Sequence, residues 1–162
     1  HPRDRRQRQM CIRDRYGSVP GHLQNNLKNC ISLYGRVLQL REVDKGQVIG
    51  YGGTYKLPKK SRIATIGVGY ADGYQRVLSG LSTVFHRGFP LPLVGRISMD
   101  SITVDISSLP DNNLKEGDFV ELLGKHFTID QAASLAQTVP YEMITGLGRR
   151  HYRYYNQFKD RL

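Results

Sequence analysis

The sequence predicts a mainly β domain, a closed, Greek-key-like β-barrel with two short helices in its C-terminal half. Three observations carry this. Apolar and polar residues alternate over short runs rich in β-branched side chains, as in Ser-Ile-Thr-Val-Asp-Ile at 101–106. Gly and Pro punctuate those runs at close intervals, which favours a barrel or sandwich over a helical fold. Helix signals occur only late, after residue 127.

The elements follow in order from about Ile31. Ile31, Leu33 and Val37, then Leu38 and Leu40, alternate with a slip, as in one long strand with a bulge. Gly46 and the Gly50–Gly53 cluster break the next segment. Arg62–Tyr70 reads as a strand ending at Tyr70, with a tight turn at Asp72-Gly73. Thr83–Phe85 and Leu91–Val94 read as a hairpin across His86-Arg87-Gly88. In Ser101–Ile106, Ile102, Val104 and Ile106 share one face, and Asp118–Leu123 follows the turn at Lys115-Glu116-Gly117. Thr128 and Gln131 form a capping box for a helix through Ala136. Pro140 suits the first turn of a second helix that Gly146 and Gly148 end.

Composition narrows the function classes. The 162 residues hold 24 Lys and Arg against 14 Asp and Glu, a formal charge of +10 that suggests a polyanionic partner. Residues 1–16 and 149–162 carry +4 each, leaving +2 for the 132 residues between them. That placement argues against a nucleic-acid-binding β face, and a basic β-barrel binding nucleic acid or another polyanion stands as the alternative reading. Residues 1–26 have too few apolar side chains to offset chain entropy and are expected to be a disordered basic arm, possessing no character in common with the 27–162 domain. Cys11 and Cys30 fit ordinary reduced thiols and a cytoplasmic setting. No stretch approaches the 18 or so apolar residues of a membrane helix, and no apolar segment follows the charged N-terminus as in a signal peptide.

Three constellations hold candidate chemistry. In Gly50-Tyr51-Gly52-Gly53 the glycines permit a sharp turn that displays a phenol, although on spacing alone a tyrosine packed over a glycine kink is the favoured reading. It is no phosphate loop, because no Gly-Lys-Ser/Thr and no helix follow. Tyr70-Ala71-Asp72-Gly73-Tyr74-Gln75-Arg76 places polar side chains after a strand. Gly95-Arg96-Ile97-Ser98-Met99-Asp100 offers a guanidinium fork suited to a carboxylate or phosphate, or else a plain surface pair between Arg96 and Asp100. His1, His22, His86, His126 and His151 have no neighbouring nucleophile and no metal-ligand spacing.

Taken in order, Ile-Gly-Tyr-Gly-Gly-Thr-Tyr, Val-Gly-Tyr-Ala-Asp-Gly-Tyr-Gln-Arg, Val-Gly-Arg-Ile-Ser-Met-Asp and Thr-Val-Pro-Tyr-Glu-Met-Ile-Thr-Gly-Leu-Gly-Arg-Arg resemble the C-terminal domain of bacterial alanine racemase over residues 28–156. The resemblance implies an isomerase that uses pyridoxal 5'-phosphate to interconvert L- and D-alanine for peptidoglycan. It implies a head-to-tail homodimer whose active site combines one subunit's N-terminal (β/α)8 barrel, bearing the cofactor lysine, with the other's β domain. On that resemblance Tyr51 is the catalytic base for one face of Cα, and a partner must stabilise its phenolate because a free phenol titrates at about pH 10. Tyr70, Arg76, Arg96 and Val139 line the entry to the active site. The Met99 backbone N–H helps hold the substrate carboxylate, Asp100 supports that loop, and Tyr141 bonds the cofactor phosphate. Serine and other amino acids stay open as substrates. Nothing in residues 1–26 resembles the barrel, so this chain alone is expected neither to hold the cofactor firmly nor to racemise alanine.

Overall fold

A computed structural model describes residues 31–155. The basic arm and both cysteines lie outside these residues. Among them are eight strands: β1 (Leu33–Val43), β2 (Val48–Ile49), β3 (Tyr55–Lys56), β4 (Ser61–Ile66), β5 (Thr83–His86), β6 (Phe89–Pro92), β7 (Ile102–Asp105) and β8 (Phe119–Leu123). Two helices follow, α1 (Ile129–Leu135) and α2 (Pro140–Gly146).

Six strands form one antiparallel sheet in the order β6-β5-β8-β1-β4-β7. Its ends come together at a single bridge between Leu93 and Val104, reinforced by the Val94 N–H bonding to the Thr103 carbonyl at 2.9 Å. The sheet is therefore a nearly closed barrel. Most neighbours are remote in sequence, as in a Greek key.

The strand β1 makes this closure possible. Its first residues pair with β8 (Tyr34 opposite Glu121), and those from Val37 onward pair with β4. The register slips between Val37 and Gln39, the bulge foreseen from the broken alternation. The slip leaves Leu38 exposed and lets one strand bend to serve two neighbours.

Two expectations are corrected. The strand starting near Arg62 ends at Ile66, not Tyr70. The Val68 N–H bonds back to the Ile66 carbonyl at 2.9 Å, a two-residue reversal that takes the chain out of the ladder. The hairpin return strand begins at Phe89 rather than Leu91. Its prolines at 90 and 92 lack N–H donors, yet β6 is an end strand, where that loss is tolerated. Arg87 and Gly88 make its two-residue turn, both with positive φ (48° and 85°).

The main core fills the barrel with Val37, Ile66, Val84, Ile102, Val104 and Leu122, and α1 covers it through Ile129, Ala132 and Ala133. The capping box is present: the Gln131 N–H donates to the Thr128 hydroxyl at 3.2 Å, and the Thr128 N–H donates to Gln131 Oε1 at 2.8 Å. Pro140 occupies the first turn of α2, as expected. A second, smaller core of Val43, Ile49, Leu57, Ile63 and Val94 lies under the β2–β3 hairpin. Burial of aliphatic side chains of this size contributes about 1.5–3 kcal/mol each. This small core therefore anchors a short hairpin that its two backbone pairs would not hold alone. No helix of the described residues is long and apolar enough to cross a membrane.

Candidate functional site

The β2–β3 hairpin carries Tyr51 at its tip, in a 3-10 turn over Tyr51–Gly53. The turn is closed by the Gly53 N–H bonding to the Gly50 carbonyl at 3.1 Å. Tyr51 is 59% exposed, so its ring is displayed and does not pack over the glycine kink. The Arg76 guanidinium carbon lies 5.3 Å from the centre of that ring, a cation–π arrangement. Arg76 arrives from a 3-10 turn at Arg76–Leu78.

A second loop, Gly95–Asp100, locks onto the hairpin tip. The Tyr51 N–H donates to the Arg96 carbonyl at 3.3 Å. The Ile97 N–H donates to the Ser79 hydroxyl at 3.0 Å, and that hydroxyl donates to the Arg76 carbonyl at 2.6 Å. Tyr51, Arg76 and Arg96 are thus brought together, although 45 residues separate the first from the last.

The third piece is the turn at Tyr70–Asp72. Its Tyr70 and Ala71 N–H groups donate to the Ser98 and Met99 carbonyls, each at 3.0 Å. Gly69 permits this approach: a β-carbon there would sit 2.3 Å from the Met99 carbonyl oxygen. Tyr70 and Met99 are 41% and 52% exposed on the same surface. The surface Arg96–Asp100 pair does not form. Asp100 instead accepts from Arg150 Nη2 at 2.7 Å, because its loop lies against the chain that leaves α2.

Val139 and Tyr141 are placed differently. Val139 is the exposed residue before α2, and Tyr141 is half-buried in the first turn. The Thr138 hydroxyl donates to Glu142, fixing that turn. The backbone bonds that join this helical segment to the loop cluster come from beyond its C-terminal end, where the Gly148 N–H reaches the Asp72 carbonyl at 3.4 Å.

Sequence reasoning missed two residues. Arg150 stands between Asp72 and Asp100, and His151 donates from Nε2 to the Asp72 carbonyl at 2.6 Å. Both lie in or beside the Gly-Leu-Gly-Arg-Arg run, whose paired arginines were the available signal. Hydrogen bonding to Asp100, then the nearby charges of Asp72 and Asp100, raise the Arg150 pKa and fix its charge.

The cluster is a rimmed surface rather than a deep cavity. Two cavities of about 330 and 530 Å³ lie elsewhere, one beside Arg62 and Asp111, the other beside Tyr34, Phe119 and His126. No group of three or more His, Cys, Asp or Glu among the described residues has the geometry to hold a metal ion. The six described lysines (Lys45, Lys56, Lys59, Lys60, Lys115 and Lys125) are all exposed. A buried amine to anchor pyridoxal phosphate is therefore lacking among them. The residues present fit a contributor to such a site, through the phenols of Tyr51 and Tyr141, and do not fit its sole holder.

The chain is similar throughout this region to known proteins. The family model "Alanine racemase, C-terminal domain" matches residues 30–155. Alanine racemase of Brucella canis is 50% identical over 125 residues, covering 77% of this chain and 32% of the relative. The catabolic alanine racemase of Rhizobium johnstonii is 45% identical over 141 residues, 86% of this chain and 37% of the relative. The crystal structure of alanine racemase from Bartonella henselae with covalently bound pyridoxal phosphate superposes with a TM-score of 0.80 at 41% identity, covering 87% of this chain and 39% of that one. The biosynthetic alanine racemase of Pseudomonas aeruginosa superposes at 0.78 with 37% identity, covering 87% and 40%. The chain spans about a third of the length of the curated relatives it matches. With barrel, helices and all four motifs accounted for over residues 30–155, it belongs to the alanine racemase C-terminal domain family.

Proposed function

We propose that this domain supplies the second acid–base group of a pyridoxal 5'-phosphate-dependent alanine racemase, with Tyr51 as that group. The observation that carries the proposal is the Tyr51 phenol, 59% exposed on a glycine-locked loop with the Arg76 guanidinium 5.3 Å from its ring. Exchanging the hydrogen on Cα requires a group on each face of that carbon, and a displayed phenol serves one of them. The guanidinium stacked on the ring face holds that phenol in its displayed position.

The other residues take roles around that step. The Met99 backbone N–H meets the substrate carboxylate. Tyr70, Arg76, Arg96 and Val139 border the approach, where the two guanidinium groups attract the carboxylate of an amino acid. Tyr141 bonds the phosphate of the cofactor. The cofactor, held by a lysine of the N-terminal domain that lies outside this chain, supplies the electron sink that makes the Cα hydrogen acidic.

Tyr51, Tyr70, Met99 and Val139 are all large, apolar or aromatic, and 41–59% exposed. Exposed side chains of this kind suit burial against a second subunit, which supports a homodimer with Tyr51 acting across the interface. L- and D-alanine are the substrates on this reading, the product serves peptidoglycan synthesis, and the compartment is the cytoplasm.

The test is Tyr51→Phe in the racemase that carries this domain. Exchange of the Cα hydrogen with solvent deuterium is followed separately for L- and D-alanine. Loss of a one-face base is expected to slow exchange from one enantiomer at least a hundredfold more than from the other. Equal, mild slowing of both would sink the assignment.

A further inference from the structure

Asp72 is 8% exposed and acts as a hub. Its Oδ2 accepts the Gly69 N–H at 2.9 Å, and its backbone carbonyl accepts from His151 Nε2 at 2.6 Å. Its Oδ1 faces Arg150 Nε at 3.5 Å, while Nη2 of the same guanidinium donates to Asp100 at 2.7 Å. One planar fork therefore bridges two carboxylates that come from different loops.

Those loops matter because each holds residues of the proposed site. The Asp72 turn presents Tyr70 and leads to Arg76, and the Asp100 loop presents Arg96 and Met99. The loop at 95–100 has no ladder of its own. It is held by the Gly50–Gly95 contact at one end and by the Tyr70 and Ala71 N–H groups at the other. Asp72 and Asp100 would repel each other without a cation between them. Removing the guanidinium would also strand a nearly buried carboxylate.

We propose that Arg150 is a positioning residue, a bridge between Asp72 and Asp100 that holds the Ser98–Asp100 loop on the Gly69–Asp72 turn and so fixes the bearing of the Met99 backbone N–H. The substrate-facing half of this inference rests on the reading of Met99 given above. The bridge itself does not. A lysine is not expected to replace Arg150, because it puts one compact charge where the rigid guanidinium spans from Nε beside Asp72 to Nη2 on Asp100.

Two readouts test it. In this chain, amide hydrogen exchange is compared between the parent, Arg150→Gln and Arg150→Lys. The Tyr70 and Ala71 amides are expected to exchange at least tenfold faster in both variants, while those of the β4–β7 ladder stay within twofold. Unchanged Tyr70 and Ala71 amides, or a uniform rise across all amides, would overturn the bridge. In the racemase carrying this domain, Arg150→Gln is expected to raise KM for alanine about tenfold with kcat within about threefold. Faster exchange with an unmoved KM would keep the bridge and refute its role toward substrate, and with it the Met99 reading. A fall in kcat at constant KM, or a raised KM without faster exchange, would overturn the positioning role outright.

Discussion

Gly50 and Gly95 meet backbone to backbone. A β-carbon on Gly50 would lie 2.7 Å from the Arg96 nitrogen, and one on Gly95 would lie 2.9 Å from the Gly50 α-carbon. Both have positive φ, 78° and 76°. The glycine before Tyr51 therefore does more than free the turn. It lets a second loop, 45 residues away, close against the hairpin tip and accept the Tyr51 N–H.

Gly95→Ala tests how far the site depends on that contact. A left-handed backbone costs an alanine about 1–2 kcal/mol, and a contact under 3.0 Å against backbone forces the loops apart. A total loss of at least about 2 kcal/mol is expected, and urea unfolding measures it. In the racemase the same change should lower kcat/KM through Tyr51, which shares this contact, by more than the stability loss explains at a temperature where the variant stays folded. Gly80→Ala is the control, since it also has positive φ (71°) but nothing within 4 Å of its added carbon. Equal losses in the two variants would show that backbone strain alone is at work.

The stacking of Arg76 on Tyr51 has its own signature. An aromatic ring 5.3 Å from the guanidinium carbon shields the protons beside it. The Arg76 δ-protons should therefore resonate upfield, and Tyr51→Leu should return them to ordinary shifts. Exposed cation–π contacts contribute about 0.5–1 kcal/mol, so Arg76→Gln should leave stability nearly unchanged. Its effect should fall on the rate of the Tyr51-dependent face of Cα exchange. Slowing of both faces alike would separate Arg76 from Tyr51.

What could be read from the sequence divides by the range of the interaction. The Thr128–Gln131 capping box and the alternating faces of Ile102, Val104 and Ile106 are written in adjacent residues, and the structure has them. The bulge after Val37 was legible for the same reason. Loop-to-loop contacts were not. Arg150 lies 78 residues from Asp72 and 50 from Asp100, and no local pattern couples them. The end of β4 also escaped, because Val68 and Tyr70 have strand-like side chains. Only the close approach of Gly69 to Met99 shows why the chain must turn there. The family resemblance named the candidate residues, while the geometry tells which of them touch.

The isolated chain should not racemise alanine. The proposed function gives this chain only one of the two acid–base groups, and the six described lysines are exposed, without the apolar surroundings that favour a reactive amine. Added pyridoxal phosphate should give no more Schiff-base absorption than free lysine at the same amine concentration, and dialysis should remove it. A saturable band that survives dialysis, together with racemase activity, would show that this chain forms a complete site.

Tyr74 offers a test of the barrel core through pH. Its ring is fully buried, and its hydroxyl donates to the Ser82 hydroxyl at 2.8 Å. Burial pushes its pKa up to about 12, the Ser82 bond opposing only in part. Above about pH 10 the unfolded chain gives up this proton while the folded chain keeps it. The unfolded state is then favoured, so stability that is fully present below pH 10 is lost as pH rises toward 12, by about 2 kcal/mol. Tyr74→Phe removes that loss and also removes the hydrogen bond, a cost of about 1 kcal/mol at neutral pH. The variant should therefore be the less stable protein at pH 8 and should overtake the parent near pH 11, by roughly a unit either way. Other tyrosines and the lysines titrate in both proteins and cancel in the difference. Urea unfolding midpoints at pH 8, 10 and 11.5 make the comparison, and parallel curves would mean that the Tyr74 hydroxyl is free to ionise in the folded state.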